Sequence, residues 1–114
     1  MATFEATTHP LAFAHMEGGL KTVYVVPHTR YFSQITSGDR VEFDDLGSIT
    51  VGMVRRYGGL EELMTAEGYA NVVPEADEVA DAVKALRESS GWEPRAVEQT
   101  GVLALRVRSA KRKS

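Results

Sequence analysis

The last hydrophobic segment of the chain, GVLALRVR at residues 101–108, places the tightest constraint on the fold. It reads as a strand: Leu103, Leu105 and Val107 point one way, and Val102, Ala104 and Arg106 the other. It arrives after two helical segments, so its partners lie far back in the chain. Three earlier segments can pair with it: KTVYVV at 21–26, RVEF at 40–43, and ITVGMVRRY at 49–57. The order helix, strand, strand, strand, helix, helix, strand predicts an α+β domain, not a parallel α/β sheet. A small closed or nearly closed β-barrel with flanking helices is expected, because closure removes free strand edges.

The punctuation agrees with this order. Pro10 opens a short helix carrying Leu11, Phe13, Ala14 and Met16, and Gly18-Gly19 stops it. Pro27 ends its strand or puts it at an edge. Residues 28–37 form a loop or helical turn, and Ser37-Gly38-Asp39 turn into the next strand. In the third strand Ile49, Val51 and Met53 share one face, opposite Thr50, Gly52 and Val54. Gly58-Gly59 breaks the chain before a helix over 60–67, with Leu60, Leu63 and Met64 on its buried side and Glu61 and Glu62 at its positive end. After a loop at Pro74, Asp77 is the expected N-cap of a helix buried through Val79, Ala82, Val83 and Leu86. Residues 1–8 are irregular or a short strand, and Trp92 with Pro94 reads as a structured loop. Residues 1–108 make one domain, and 109–114 a basic tail.

Composition narrows the function classes. The 114 residues, 43% hydrophobic and 25% charged, suffice for one core. With no cysteine, disulfides and thiolate metal sites are excluded. His9, His15 and His28 lack a metal-ligand spacing, so no metal and no cofactor is expected. No membrane-length apolar run exists, and a cytoplasmic protein without a membrane partner is the expectation. The net charge of −3 hides segregation. Five of 13 basic residues lie in the last nine positions, leaving 8 basic against 16 acidic residues elsewhere. That tail is either a frayed solubilising end or an arm for phosphates.

Several residues bear on chemistry. Lys21 follows two glycines, which let a ligand approach closely, and a lysine at a pocket mouth can hold phosphate or act as a base. It can equally be a solvated strand end. His28 and Arg30 follow the same strand. Arg55, Arg56 and Tyr57 close another, where arginines attract phosphate and a tyrosine stacks on a base. Glu67 ends an acidic helix and can move protons opposite Lys21, although carboxylates there are usually just solvated. Phosphate-loop, dinucleotide and nucleophile-elbow patterns are absent.

Taken in order, GLKTVYV at 19–25, SGDRVEF at 37–43, VRRYGGLEELMTAEG at 54–68, VVPEADEVADAV at 72–83 and GVLALRV at 101–107 resemble an ASCH domain, a branch of the PUA-like superfamily. The resemblance implies a PUA-like β-barrel with a cleft, and RNA or a nucleotide or nucleoside as partner. In the family a Gly-x-Lys precedes a Glu and an Arg on one strand; here Gly19 and Lys21 match, while Tyr24 and Val26 replace the two charges. Some members act as small amidohydrolases on an acylated nucleoside through a lysine, a threonine and a glutamate, which map to Lys21, Tyr24 and Glu67. The resemblance thus implies a cationic cleft of Lys21, Tyr24, His28, Arg30, Arg55, Arg56 and Tyr57 that binds RNA or a nucleotide. The alternatives are such an amidohydrolase, or a protein-interaction domain whose ligand site has degenerated. Ligand identity and oligomeric state stay open.

Overall fold

The computed structural model describes residues 1–90 and 100–113. The chain forms a mixed α+β domain: a curled, half-barrel sheet of five strands flanked by helices. The strands are β1 (Thr3–Glu5), β2 (Val23–Pro27), β3 (Arg40–Phe43), β4 (Gly47–Tyr57) and β5 (Val102–Arg112), in the spatial order β1-β3-β4-β5-β2. β1 runs parallel to β3; the other pairs are antiparallel. The helices are α1 (Pro10–Glu17), α2 (Leu60–Glu67), α3 (Tyr69–Val72) and α4 (Val79–Ser90), with a 3-10 turn at Phe32–Gln34. Among the described residues no helix is long and apolar enough to cross a membrane.

β2 and the first part of β5, residues 102–105, are buried on both faces, because the sheet there separates two cores. Tyr24, Val26, Leu103 and Leu105 join Phe13, Phe43, Ile49 and Val51 inside the curl, which α1 plugs. Their neighbours Val23, Val25, Val102 and Ala104 pack outward against Leu60, Leu63, Met64 and Val83 of α2 and α4. The alternation of a two-residue repeat divides each strand between the two cores.

The sheet curls as expected of a small barrel with flanking helices and stays open at one seam: β1 and β2 are its two edges, and β2 ends at Pro27, which has no N–H to offer a further strand. Three details depart from the sequence reading. β5 does not stop near Val107. It runs to Arg112 and pairs with β4 as far as Gly47, so residues 109–112 are strand and not a frayed tail. Met53 is 44% exposed, whereas Val54 packs on the inner core. The cause is a pair of bulges: Thr50, Val51 and Val54 face Ser109, Val107 and Leu105, so β5 carries one extra residue and then β4 carries one. Each extra residue shifts the alternation by one and bends the ribbon. Finally, α3 was not expected; it fits between Gly68 and Val73 as a single turn. Trp92 and Pro94 lie outside the described residues.

Candidate ligand-binding site

The tight turn after α1 delivers Lys21 to its position. Gly19 has φ +81°, a conformation glycine adopts freely, and the chain folds back so that the N–H groups of both Leu20 and Lys21 donate to the His15 carbonyl at 3.0 Å. The next residue is held from two sides: Thr22 N–H donates to the Asn71 carbonyl at 2.9 Å, and its own carbonyl accepts from Val107 N–H at 2.8 Å. Lys21 therefore leaves a fixed backbone, between the C-terminal end of α1 and α3.

Its side chain is not solvated. Lys21 is 6% exposed, and its ammonium donates to the Val72 carbonyl at the end of α3, a group the short helix leaves without a backbone partner. Burial pulls the amine down from 10.5 to about 8, against the opposing attraction of Glu75. The amine lines a cavity of about 510 Å³. Its walls come from residues 7–12 and His15 on one side, Tyr24 and Val25 on the sheet, residues 72–75, and Ala85, Leu86 and Ser89 of α4. The cavity size is that of a small-molecule site, with apolar walls and few polar groups.

Three polar groups beside Lys21 are fixed. Tyr24 is 8% exposed; its ring stands edge-on to Phe43 at 4.9 Å, and its hydroxyl donates to the Thr7 carbonyl at 2.8 Å. That bond ties edge strand β2 to the segment after β1, across the open seam of the half-barrel. Burial pushes the phenol well above its ordinary range, so it stays protonated. His9 caps α1, its Nδ1 accepting from Leu11 N–H at 3.1 Å. His15 Nδ1 lies 3.6 Å from Glu75 Oε2 at the cavity wall, an ion pair whenever the imidazole is protonated.

Of the residues singled out from sequence, only Lys21 and Tyr24 reach this cavity. The others lie in three separate places. His28 Nδ1 and the Arg56 guanidinium both meet the Thr100 carbonyl, at 3.2 and 3.3 Å. Arg30 is exposed, and its carbonyl accepts from Ser33 Oγ at 2.9 Å and Gln34 Nε2 at 3.1 Å. Glu67 accepts from the Tyr57 hydroxyl, a bond that raises the phenol, and it does not line the Lys21 cavity. Arg55 lies beside this pair and donates from Nε to Met53 Sδ at 3.1 Å. The continuous cationic cleft does not form: alternation along β4 puts Arg55 and Arg56 on opposite faces, His28 and Arg30 leave from the loop after β2, and Glu67 leaves from the end of α2. Conversely, His15, Glu75 and the Val72 carbonyl were not anticipated. Val72 is 51 residues from Lys21, and Glu75 is indistinguishable in sequence from the solvated acids around it.

No protein-family model matches the chain, and no curated protein matches it. Solved structures do. The crystal structure of hypothetical protein PH0355 superposes with a TM-score of 0.83 at 20% identity, over 99% of this chain and 100% of that one. The solution structure of protein PF0455 from Pyrococcus furiosus superposes with a TM-score of 0.74 at 19% identity, over 96% of each chain. Both share the fold; neither name states an activity.

Proposed function

We propose that the chain is an ASCH-type, PUA-like domain that binds a nucleoside or nucleotide, free or as one base of a short RNA strand, in the Lys21 cavity. The observation that carries this reading is a buried ammonium opening on a cavity of about 510 Å³ with mainly apolar walls. An ammonium has three N–H donors, and Val72 takes one. A ring carbonyl or anionic oxygen can receive the others, while Leu86, Val73 and the Tyr24 ring flank a planar body. The buried charge selects for such oxygens, since a ligand lacking one leaves the ammonium unpaired in an apolar site. The test is calorimetric titration with a panel of nucleosides and nucleoside monophosphates. At least one is expected to bind, and Lys21→Met is expected to weaken it tenfold or more with the fold intact. Absence of binding across the panel, or binding indifferent to Lys21→Met, sinks the reading and leaves a domain that meets other proteins.

A second reading has its own support. A lysine at about 8 is partly neutral near pH 7 and can take a proton from water. Glu75, close enough to act on that amine, supplies the carboxylate that Glu67 cannot. With Tyr24 committed to Thr7, amide hydrolysis on an acylated nucleoside then proceeds through a Lys21-activated water with Glu75 as proton carrier. Turnover of acylated nucleosides that rises with pH toward 8 and vanishes in Lys21→Ala and Glu75→Gln is the expected signature. Turnover that persists in Lys21→Ala rejects it.

A further inference from the structure

The outer surface of the β4–β5 ribbon carries charge that the cavity does not use. Together β4 and β5 hold six basic residues and no acidic one, in a chain whose other residues number 7 basic against 16 acidic. Three of the six are spoken for or turned away: Arg112 pairs with Glu17 and stacks on Phe13, Arg56 meets the Thr100 carbonyl, and Arg55 meets Met53 and Tyr57. Arg106, Arg108 and Lys111 are exposed, and among the described residues no carboxylate pairs with any of them; Arg108 donates only to the Ser37 hydroxyl, at 3.1 Å.

The bulges put these three cations on one side. A Cβ on Gly52 would lie 3.6 Å from the Arg108 Cβ and 3.8 Å from the Arg106 Cβ, so both arginines flank that glycine on the same surface. Lys111 pairs in register with Ser48, and Ser109 with Thr50. The face is thus a row of cations separated by glycine, serine and threonine, over about 15 Å of strand. Small residues allow a chain to lie close, and their hydroxyls can donate to phosphate oxygens. The surface has a boundary too. Beyond Lys111 it meets a depression of about 310 Å³ that also holds Glu42 and Asp44.

We infer that the outer β4–β5 face, through Arg106, Arg108 and Lys111, is a second site that holds the phosphodiester backbone of a single-stranded nucleic acid. This rests on the nucleotide-binding reading for what the strand does at the cavity, but not for its own contact, which is ionic and independent of sequence. Residues 61–81, with seven carboxylates and no cation, include α2 and the start of α4, and these helices pack on the outer side of the sheet against Val102 and Ala104, so their charge repels the strand from that end of β5.

The experiment measures anisotropy of a labelled single-stranded oligouridylate with the full chain, between about 50 and about 200 mM salt. Binding to the native protein is expected at low salt and falls as salt rises. Arg106→Ser with Arg108→Ser and Lys111→Ser is expected to weaken it about tenfold at low salt and to flatten the log–log slope by about 2, at about 0.7 per single-strand phosphate contact. Gly52→Glu, whose Cβ fits at ordinary contact distance, keeps every cation and should lower affinity in the same direction. Lys21→Met should keep the slope while losing the nucleoside titration, which separates the two sites. An unchanged slope in the triple variant, no binding by the native chain at low salt, or binding only to anionic phosphatidylserine vesicles each overturns the inference.

Discussion

At the residue scale, Lys21 carries the most information. Its amine is lowered to about 8 in the fold and titrates near 10.5 when the chain is open. Between those values the unfolded chain binds the extra proton, so stability rises with pH over that window. Below about 8 the full cost of burying the charge, on the order of 3 kcal/mol, weighs on the fold. Lys21→Met should therefore remove a rise of that size between pH 8 and 10.5, read as the difference between denaturation curves of native and variant chains. Equal pH dependence in both would show the amine to be solvated. Asp39 works with the opposite sign. It accepts from Ala2 N–H and Thr36 N–H, each at 2.9 Å, and from the Thr36 hydroxyl at 3.2 Å; these bonds hold its carboxyl below the ordinary range. Asp39→Asn should cost about 1–2 kcal/mol at pH 7. That gap should close as pH falls below about 4 and the native carboxyl is itself protonated.

At the element scale, the chain relies on close approaches between strands that are distant in sequence. At Gly47, φ is +151°, and a Cβ would meet the Lys111 carbonyl at 2.3 Å and the Phe13 ring at 2.7 Å. Three elements crowd there: the start of β4, the end of β5 and α1. Gly47→Ala should cost about 2–4 kcal/mol. Hydrogen exchange should show lost protection at the Lys111 end of β5 first. Retained protection there would mean the strand end does not depend on this contact. The elements themselves were largely legible. Pro10, Pro27, Gly58-Gly59 and Gly68 mark boundaries that the structure keeps to within a residue or two, because proline and glycine act through local backbone geometry. The bulges were not legible. No residue of VGMV announces an extra position, and only the partner strand's register reveals one, which is why Met53 and Val54 exchange faces.

At the scale of the whole molecule, two cores share two strands. β2 and β5 send alternate side chains into each, so neither core can be lost alone. Leu63, fully buried between α2 and the sheet, should destabilise the entire fold by about 2–5 kcal/mol when changed to alanine. A single unfolding transition is expected, with amides of β3, in the other core, losing protection as much as those of α2. Two transitions, or untouched β3 amides, would show that the cores unfold separately. The same arrangement positions the site. The cavity lies at the open seam, where β2 meets α1, α3 and α4.

The amino-acid sequence by itself determined the elements, their order and the α+β class, since these follow from period-two alternation, proline and glycine breaks, and the late return of a hydrophobic strand. It also singled out Lys21, between the glycine pair and β2, and Tyr24, on β2 itself. Only the tertiary structure decided what surrounds them. Burial, and with it the lowered amine, depends on α4 and on Val72 and Glu75, brought in from more than fifty residues away. The scattering of Arg30, Arg55, Arg56 and Glu67 to other faces has the same origin. Local rules set which way a side chain points along its own strand, but its neighbours are set by which strands pair, in what register, and where that register slips.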